Sequence, residues 1–279
     1  MIHVENTPIQ GIIFDVDGKI LNSMVPQYIW LKYAAETFEG NFKWDSYGPE
    51  YQEEYNLHLE NHGMRGLYTM IGVDFEKHAK KIWDEFTNFN RTHEIVPIEG
   101  VPEAIQEIYK RSRVTLKRPI ALGLAINTTK TWNDVELPLQ KAGLVDILNC
   151  RVTKDDIYEE CSNGEAKKKN IAYDDYAALK TILDEKTVKM LEKPNGYSVV
   201  LACKRLKIHP NRILAFEDTK MGLESYRKVK FEDGYYDVNV VGVTWGYESK
   251  ERLLKGSPDY IIDKPKQMVE LVGDLGGLN

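Results

Sequence analysis

The stretch Gly11-Ile12-Ile13-Phe14-Asp15-Val16-Asp17-Gly18 constrains the fold more than any other part of the chain. A short apolar run breaks into two carboxylates and a glycine, the pattern of a strand buried in a parallel sheet and closed by a turn. Ligands in open α/β sheets bind off the carboxyl ends of such strands, and Asp15 and Asp17 fall there. Two acids one residue apart suit a divalent cation, because hard cations take oxygen ligands. A calcium loop fits poorly. With Gly18 as its sixth residue, Ile13 and Met24 take the first and twelfth places, where oxygen ligands are needed. A plain surface turn, which Asp and Gly also favour, stays open on this stretch alone.

The rest of the chain sets the class. Helices are expected at residues 26–38, 50–62, 64–71 and 75–89, the last with Phe75, Ala79, Ile82, Phe86 and Phe89 on one stripe. Apolar runs at 119–126, 148–152, 213–216, 238–243 and 260–262 have the length of strands. Helices are expected between them at 101–108, 193–206 and 222–226, with one more at the C-terminus. Strands alternating with helices mean an α/β fold, a Rossmann-like parallel sheet covered on both faces. The helical residues 22–94 are expected as an inserted domain, with the core formed by 1–21 and 95–279. A charged stretch at 156–192, with Lys167-Lys168-Lys169 between acidic runs, is expected as a further insertion in the core. Within it Tyr176, Leu179, Ile182 and Leu183 have helical spacing, with Asp174 or Asp175 at the N-terminus.

Composition excludes several classes. Hydrophobic residues at 42% and charged residues at 29% are those of a globular chain with a core to bury. A net charge of −6 argues against a nucleic-acid binder, and the lysine run is flanked by acids. No apolar run is long enough to span a membrane, and the first residues lack the basic and apolar regions of a signal peptide. Cys150, Cys161 and Cys203 are too scattered for a zinc site, which points to thiols in a reducing, cytoplasmic setting. His58 and His62 are four apart, yet no Glu directly follows the first, so they are expected on a helix surface.

Three strand ends bring polar groups to one sheet edge: Asp15 with Asp17, Asn127 with Thr128, and Glu217 with Asp218. Lys193, at an expected helix start, adds a positive charge. A carboxylate nucleophile, a second carboxyl, a cation and a hydroxyl or amide donor make a phosphoryl-transfer site. The motif Phe14-Asp15-Val16-Asp17-Gly18 resembles the first motif of the haloacid dehalogenase superfamily. Lys193-Pro194 followed by Phe216-Glu217-Asp218-Thr219-Lys220-Met221-Gly222 resembles its later motifs. The match is to the phosphatase and beta-phosphoglucomutase-like branch, whose helical cap lies where residues 22–94 are inserted.

The resemblance implies roles. Asp15 would attack phosphorus, and Asp17 would protonate the leaving oxygen and then activate water. Mg²⁺ would sit between Asp15, the Asp17 backbone carbonyl and Asp218, with Glu217 as a further ligand or partner. Lys193 would pair with Asp15 and the phosphate, while Gly18 and Arg65 are candidate substrate contacts. Two positions depart from the family pattern. Lys19 stands where Thr or Val usually follows Gly18, and Asn127 precedes Thr128 where the second motif has Ser or Thr. Asp17 favours P–O cleavage over dehalogenation or phosphonate cleavage. The expected protein is therefore a Mg²⁺-dependent phosphatase acting on a small phosphorylated metabolite, as a monomer or homodimer. A sugar-phosphate mutase, with Arg65 as the second phosphate site, is the alternative enzyme, and a degenerate binding member is the non-enzyme alternative.

Overall fold

The computed structural model describes residues 8–114, 122–162, 182–183 and 193–275. The chain divides into two compact units, Met1–Ile20 with Pro97–Asn279, and Leu21–Val96. Among the described residues the strands, in chain order, are β1 (Gly11–Phe14), β2 (Leu21–Asn22), β3 (Val96–Pro97), β4 (Gly123–Asn127) and β5 (Cys150–Val152). They continue with β6 (Ile213–Glu217), β7 (Val229–Phe231), β8 (Gly234–Tyr236), β9 (Asn239–Val243) and β10 (Tyr260–Ile262). No helix of the described residues is long and apolar enough to cross a membrane.

In the larger unit six strands form one parallel sheet in the order β10-β9-β6-β1-β4-β5. β1 lies inside it, and every residue of β1, β4 and β6 is buried. Near-continuous apolar sequence is what strands covered on both faces require. Ile13, Ala125 and Ala215 face one side, where they join Val199, Ala202 and Cys203 of the helix Tyr197–Leu206 in one core cluster. By the pleat, Ile12, Leu124 and Leu214 point to the other face. Their burial is complete as well.

Register then places the chemistry. Phe14 lies level with Ile126 of β4 and Phe216 of β6, and the Phe14 and Phe216 rings stack at 5.4 Å between centroids. The residue after each partner, Asp15, Asn127 and Glu217, therefore comes level at the carboxyl edge of the sheet.

The smaller unit holds helices Met24–Thr37, Pro49–Met70 and Phe75–Thr92. The expected break between its second and third segments is present, because Gly63 carries φ 62° inside the run Pro49–Met70. Aromatic rings fill its interior: Tyr28, Phe42, Trp44 and Tyr51 pack edge to face, and the Trp30 indole donates to the Tyr68 hydroxyl at 3.1 Å. His58 and His62 share a helix, with ring centroids 6.5 Å apart.

Several expectations need correction. Lys193 does not start a helix; it lies in a turn with a cis Lys193–Pro194 bond, and the helix begins at Tyr197, whose N–H donates to the Asn195 side chain. The short segment before β5 is a 3₁₀ turn, Val145–Ile147, so that strand starts at Cys150 rather than 148. Ile182 and Leu183 lie in a turn and a bend, with Leu183 buried in the core cluster. The rest of the helix expected there, with Lys167, Lys168, Lys169, Asp174 and Asp175, lies outside the described residues, as do residues 119–121 of the expected second strand. The antiparallel hairpin β7–β8 went unread, although Asp233-Gly234 beside Phe231 and Tyr235 is a turn signal.

The helix Lys154–Cys161 illustrates local control of stability. Its N-cap Thr153 and the third-position Asp156 form a capping box, and Arg205 donates to Asp156 at 2.7 Å. Burial raises the Asp156 carboxyl, but hydrogen bonds from Thr153 and Arg205 outweigh it and hold the group below the usual carboxylate range. That stability is present above the unfolded pKa, about 4, and is lost as pH falls through the lower folded value. Asp156→Asn should therefore cost about 1 kcal/mol near neutral pH and less in acid, read as urea unfolding midpoints at the two pH values.

Candidate active site

The site is built where β1, β6 and the turn before the helix Tyr197–Leu206 meet. Asp15 follows β1 with 5% of its surface exposed, and Glu217 and Asp218, at the end of β6, are fully buried. Their ligand oxygens lie within 4.8 Å of one another, and among the described residues no other group of three His, Cys, Asp or Glu does so.

Two ammonium groups enter this cluster. Lys193 Nζ lies 2.6 Å from Asp15 Oδ1 and 2.8 Å from Glu217 Oε1. Lys19 Nζ contacts the other Asp15 oxygen, Asp218 Oδ1, and Glu217 Oε2 at 2.8 Å. Lys19 is 4% exposed, and its three N–H donors match three carboxylates. A single helical turn returns it to Asp15: the Ile20 N–H donates to the Val16 carbonyl at 2.9 Å. Gly18 makes that turn possible with φ +73°. A Cβ there would stand 2.0 Å from Asp218 Oδ2, so any side chain is excluded. The loop after β9 holds the turn from outside, the Trp245 indole donating to the Lys19 carbonyl at 3.2 Å and the Tyr247 N–H to Asp218 Oδ2 at 2.7 Å.

Three carboxylates against two ammonium groups leave one negative charge in excess. The protonation states follow. Burial raises Asp15, but Lys19 and Lys193 together overcome it and hold the carboxyl below its usual range. Burial lowers both lysines, and the facing carboxylates more than reverse that, so both stay charged. The excess falls on Asp218. Burial pushes it up to about 7, Lys19 opposes, and Glu217 and Asp15 add to the rise.

Asp17 stays apart from this cluster. Its carboxylate pairs with Lys130 Nζ at 2.9 Å, a partner the sequence reading missed although Lys130 closes the Asn127-Thr128-Thr129-Lys130 strand end. Asn127 is buried with its side chain against the Tyr226 hydroxyl, which itself faces Lys193, Glu217 and Asp15. Thr128 is equally buried, and its hydroxyl accepts from the Lys130 N–H at 3.2 Å. Arg65 belongs to the smaller unit. There it pairs with Glu76 at 2.8 Å, lies 5.7 Å from the Phe75 ring and is largely exposed.

The donor set of Asp15, Glu217 and Asp218 is of the type a hard cation takes. As arranged, it does not fit a divalent ion, because the Lys19 ammonium already bonds to all three acids from their shared centre. A metal and that ammonium cannot share the position.

Residues 12–165 match the family model of the haloacid dehalogenase-like hydrolases, and the chain belongs to that family. It is 22% identical over 267 residues, 95% of this chain and 98% of the relative, to the pyrophosphatase PpaX of Oceanobacillus iheyensis. Its fold resembles a solved structure from Haemophilus somnus described as a predicted phosphoglycolate phosphatase. The TM-score is 0.64 at 16% identity, over 95% of this chain and 98% of that one. It also resembles the structure of CbbY from Rhodobacter sphaeroides in complex with phosphate, with TM-score 0.56 at 17% identity, over 93% and 96% of the two chains.

Because only two buried ammonium groups face three carboxylates, removing one should unsettle the fold. Lys193→Met is expected to cost about 3–5 kcal/mol near neutral pH, measured by chemical denaturation. An unchanged midpoint would contradict a buried, paired Lys193.

Proposed function

We propose that the protein hydrolyses a small phosphate monoester through an aspartyl-phosphate on Asp15. One observation carries the reading: Asp15 ends the inner strand β1 as a carboxylate with Lys193 beside it, while a second carboxylate, Asp17, stands free of that cluster. An Asp15 oxygen attacks phosphorus as the bond to the ester oxygen breaks, and Asp17, in its acid form, gives that oxygen its proton. Water then attacks the phosphorus of the intermediate and passes a proton to Asp17. The bond to Asp15 breaks, and inorganic phosphate leaves with the Asp15 carboxylate restored. Lys193 offsets the charge of the transferring group, and the buried Asn127 amide and the Thr128 hydroxyl are assigned to its oxygens. Gly18 is assigned to the phosphate through its backbone, and Arg65 is proposed as a substrate contact.

Family membership and the phosphatase and pyrophosphatase relatives support a phosphorus centre, as does the phosphate held by CbbY. The Mg²⁺ implied by the family resemblance takes no part in these steps, since Lys19 lies where its ligands converge. Residues 22–94 are assigned the role of a cap, 1–21 and 95–279 the catalytic core, and 156–192 an insertion in it. The free thiols Cys150, Cys161 and Cys203 support a reducing, cytoplasmic setting, and the protein is taken as a monomer or homodimer.

A second reading has an observation of its own. Both Asp15 oxygens are engaged by ammonium groups, which favours a member that binds a phosphorylated ligand without turnover. Phosphate release over a panel of phosphomonoesters and inorganic pyrophosphate separates the two. Turnover of at least one monoester, lost in Asp15→Asn by roughly 10³-fold or more, is the expected result. Binding of phosphorylated compounds with no release from any of them would establish the second reading instead.

A further inference from the structure

The Lys19 ammonium has the contacts a metal would have. It lies among Asp15, Glu217 and Asp218, bonds to all three, and is cut off from solvent with them. Its place is determined by the fold. The turn Val16–Ile20 returns it to Asp15, Gly18 admits the turn, and Trp245 holds the Lys19 carbonyl. An ammonium also meets the cluster's electrostatic demand. Together with Lys193 it reduces three buried negative charges to one.

We propose that Lys19 is a built-in replacement for the divalent cation at this site, so that the protein binds its phosphorylated ligand and acts without a bound metal. The inference rests on the hydrolysis proposed above only for the word "acts"; the claim about metal binding stands by itself. A lysine in this position does less than a metal. Its three donors are spent on the three acids, so it leaves no open coordination site and reaches the phosphate only through its charge. It is thus a positioning residue: it neutralises the wall of carboxylates that would otherwise repel an incoming dianion, while Lys193 and Asn127 remain to meet the phosphate oxygens. Nor does it leave when a chelator is added.

Two measurements on the unaltered protein decide the matter. Mn²⁺, standing in for Mg²⁺, is titrated against the full chain and followed by electron paramagnetic resonance, and phosphate release is compared in EDTA and in Mg²⁺. The expected result is no bound Mn²⁺ and less than about a twofold difference in turnover between the two buffers, where loss of a required metal would cost roughly 10²-fold or more. Stoichiometric Mn²⁺ binding that disappears in Asp218→Asn would overturn the proposal, as would turnover abolished by EDTA. Lys19→Thr vacates the position and is expected to gain one Mn²⁺ site and a thermal midpoint that rises on adding Mg²⁺, responses that a purely structural lysine would not produce. A folded Lys19→Thr variant that takes up no metal would count against the proposal; if that variant fails to fold, the titration of the unaltered protein still decides. Absence of phosphate release in every buffer would refute the hydrolysis reading and leave the Mn²⁺ result to judge this one.

Discussion

Five charged side chains buried at one sheet edge are the constraint on which the rest of the larger unit depends. Taking an ion out of water costs several kcal/mol even after relaxation, and pairing offsets this only where hydrogen bonds satisfy what remains. Here the pairing is dense. Glu217 takes one ammonium on each oxygen, Asp15 does the same, and Asp218 divides its oxygens between Lys19 and a backbone N–H. Such a network needs positional accuracy that loops alone do not supply. The strands supply it, since β1 and β6 run parallel in register and release Asp15 and Glu217 at the same level. An apolar cluster of similar volume would often serve stability as well or better. Stability alone therefore does not account for a buried ionic site in a core otherwise largely apolar.

The space around the network is equally specific. Gly18 and Gly246 both lie against Asp218, where a Cβ would come within 2.0 and 2.1 Å of its Oδ2. Bare backbone at these two points lets the β1 turn and the loop after β9 close on the carboxylate from two sides. Water is kept out, which strengthens each Coulomb contact and raises the cost of leaving any member unpaired. The excess negative charge falls on Asp218 because that group has only one ammonium neighbour, while burial and the two nearby carboxylates press it toward the neutral form.

Asp17 has been given a different environment. It is more exposed than Asp15, and its partner Lys130 is itself part-exposed. Separate surroundings for two carboxylates two residues apart suit the different roles proposed for them. In a continuing strand the pleat would turn residues two apart to the same face. The chain must therefore leave the strand after Asp15, and the turn at Gly18 completes that departure.

Much of this was legible in the sequence. The apolar runs that become β1, β6, β9 and β10, the Gly63 break, and the acids at strand ends follow from period and composition, because a strand covered on both faces has little choice of residue. The haloacid dehalogenase-like family was legible from the spacing of Asp15-Val16-Asp17-Gly18, Lys193 and Glu217-Asp218, and the family model agrees. Lys130 as the partner of Asp17 was not, since that pair joins residues 113 apart in the chain, and neither was the turn around Lys193, which period alone extends into the helix. Lys19 divides the two kinds of knowledge. The sequence marks it as the residue that breaks the motif, but it does not say where an ammonium on a four-carbon stem will point. Only the folded turn, with Gly18 at positive φ and three buried carboxylates ahead of it, directs that charge into the centre of the site.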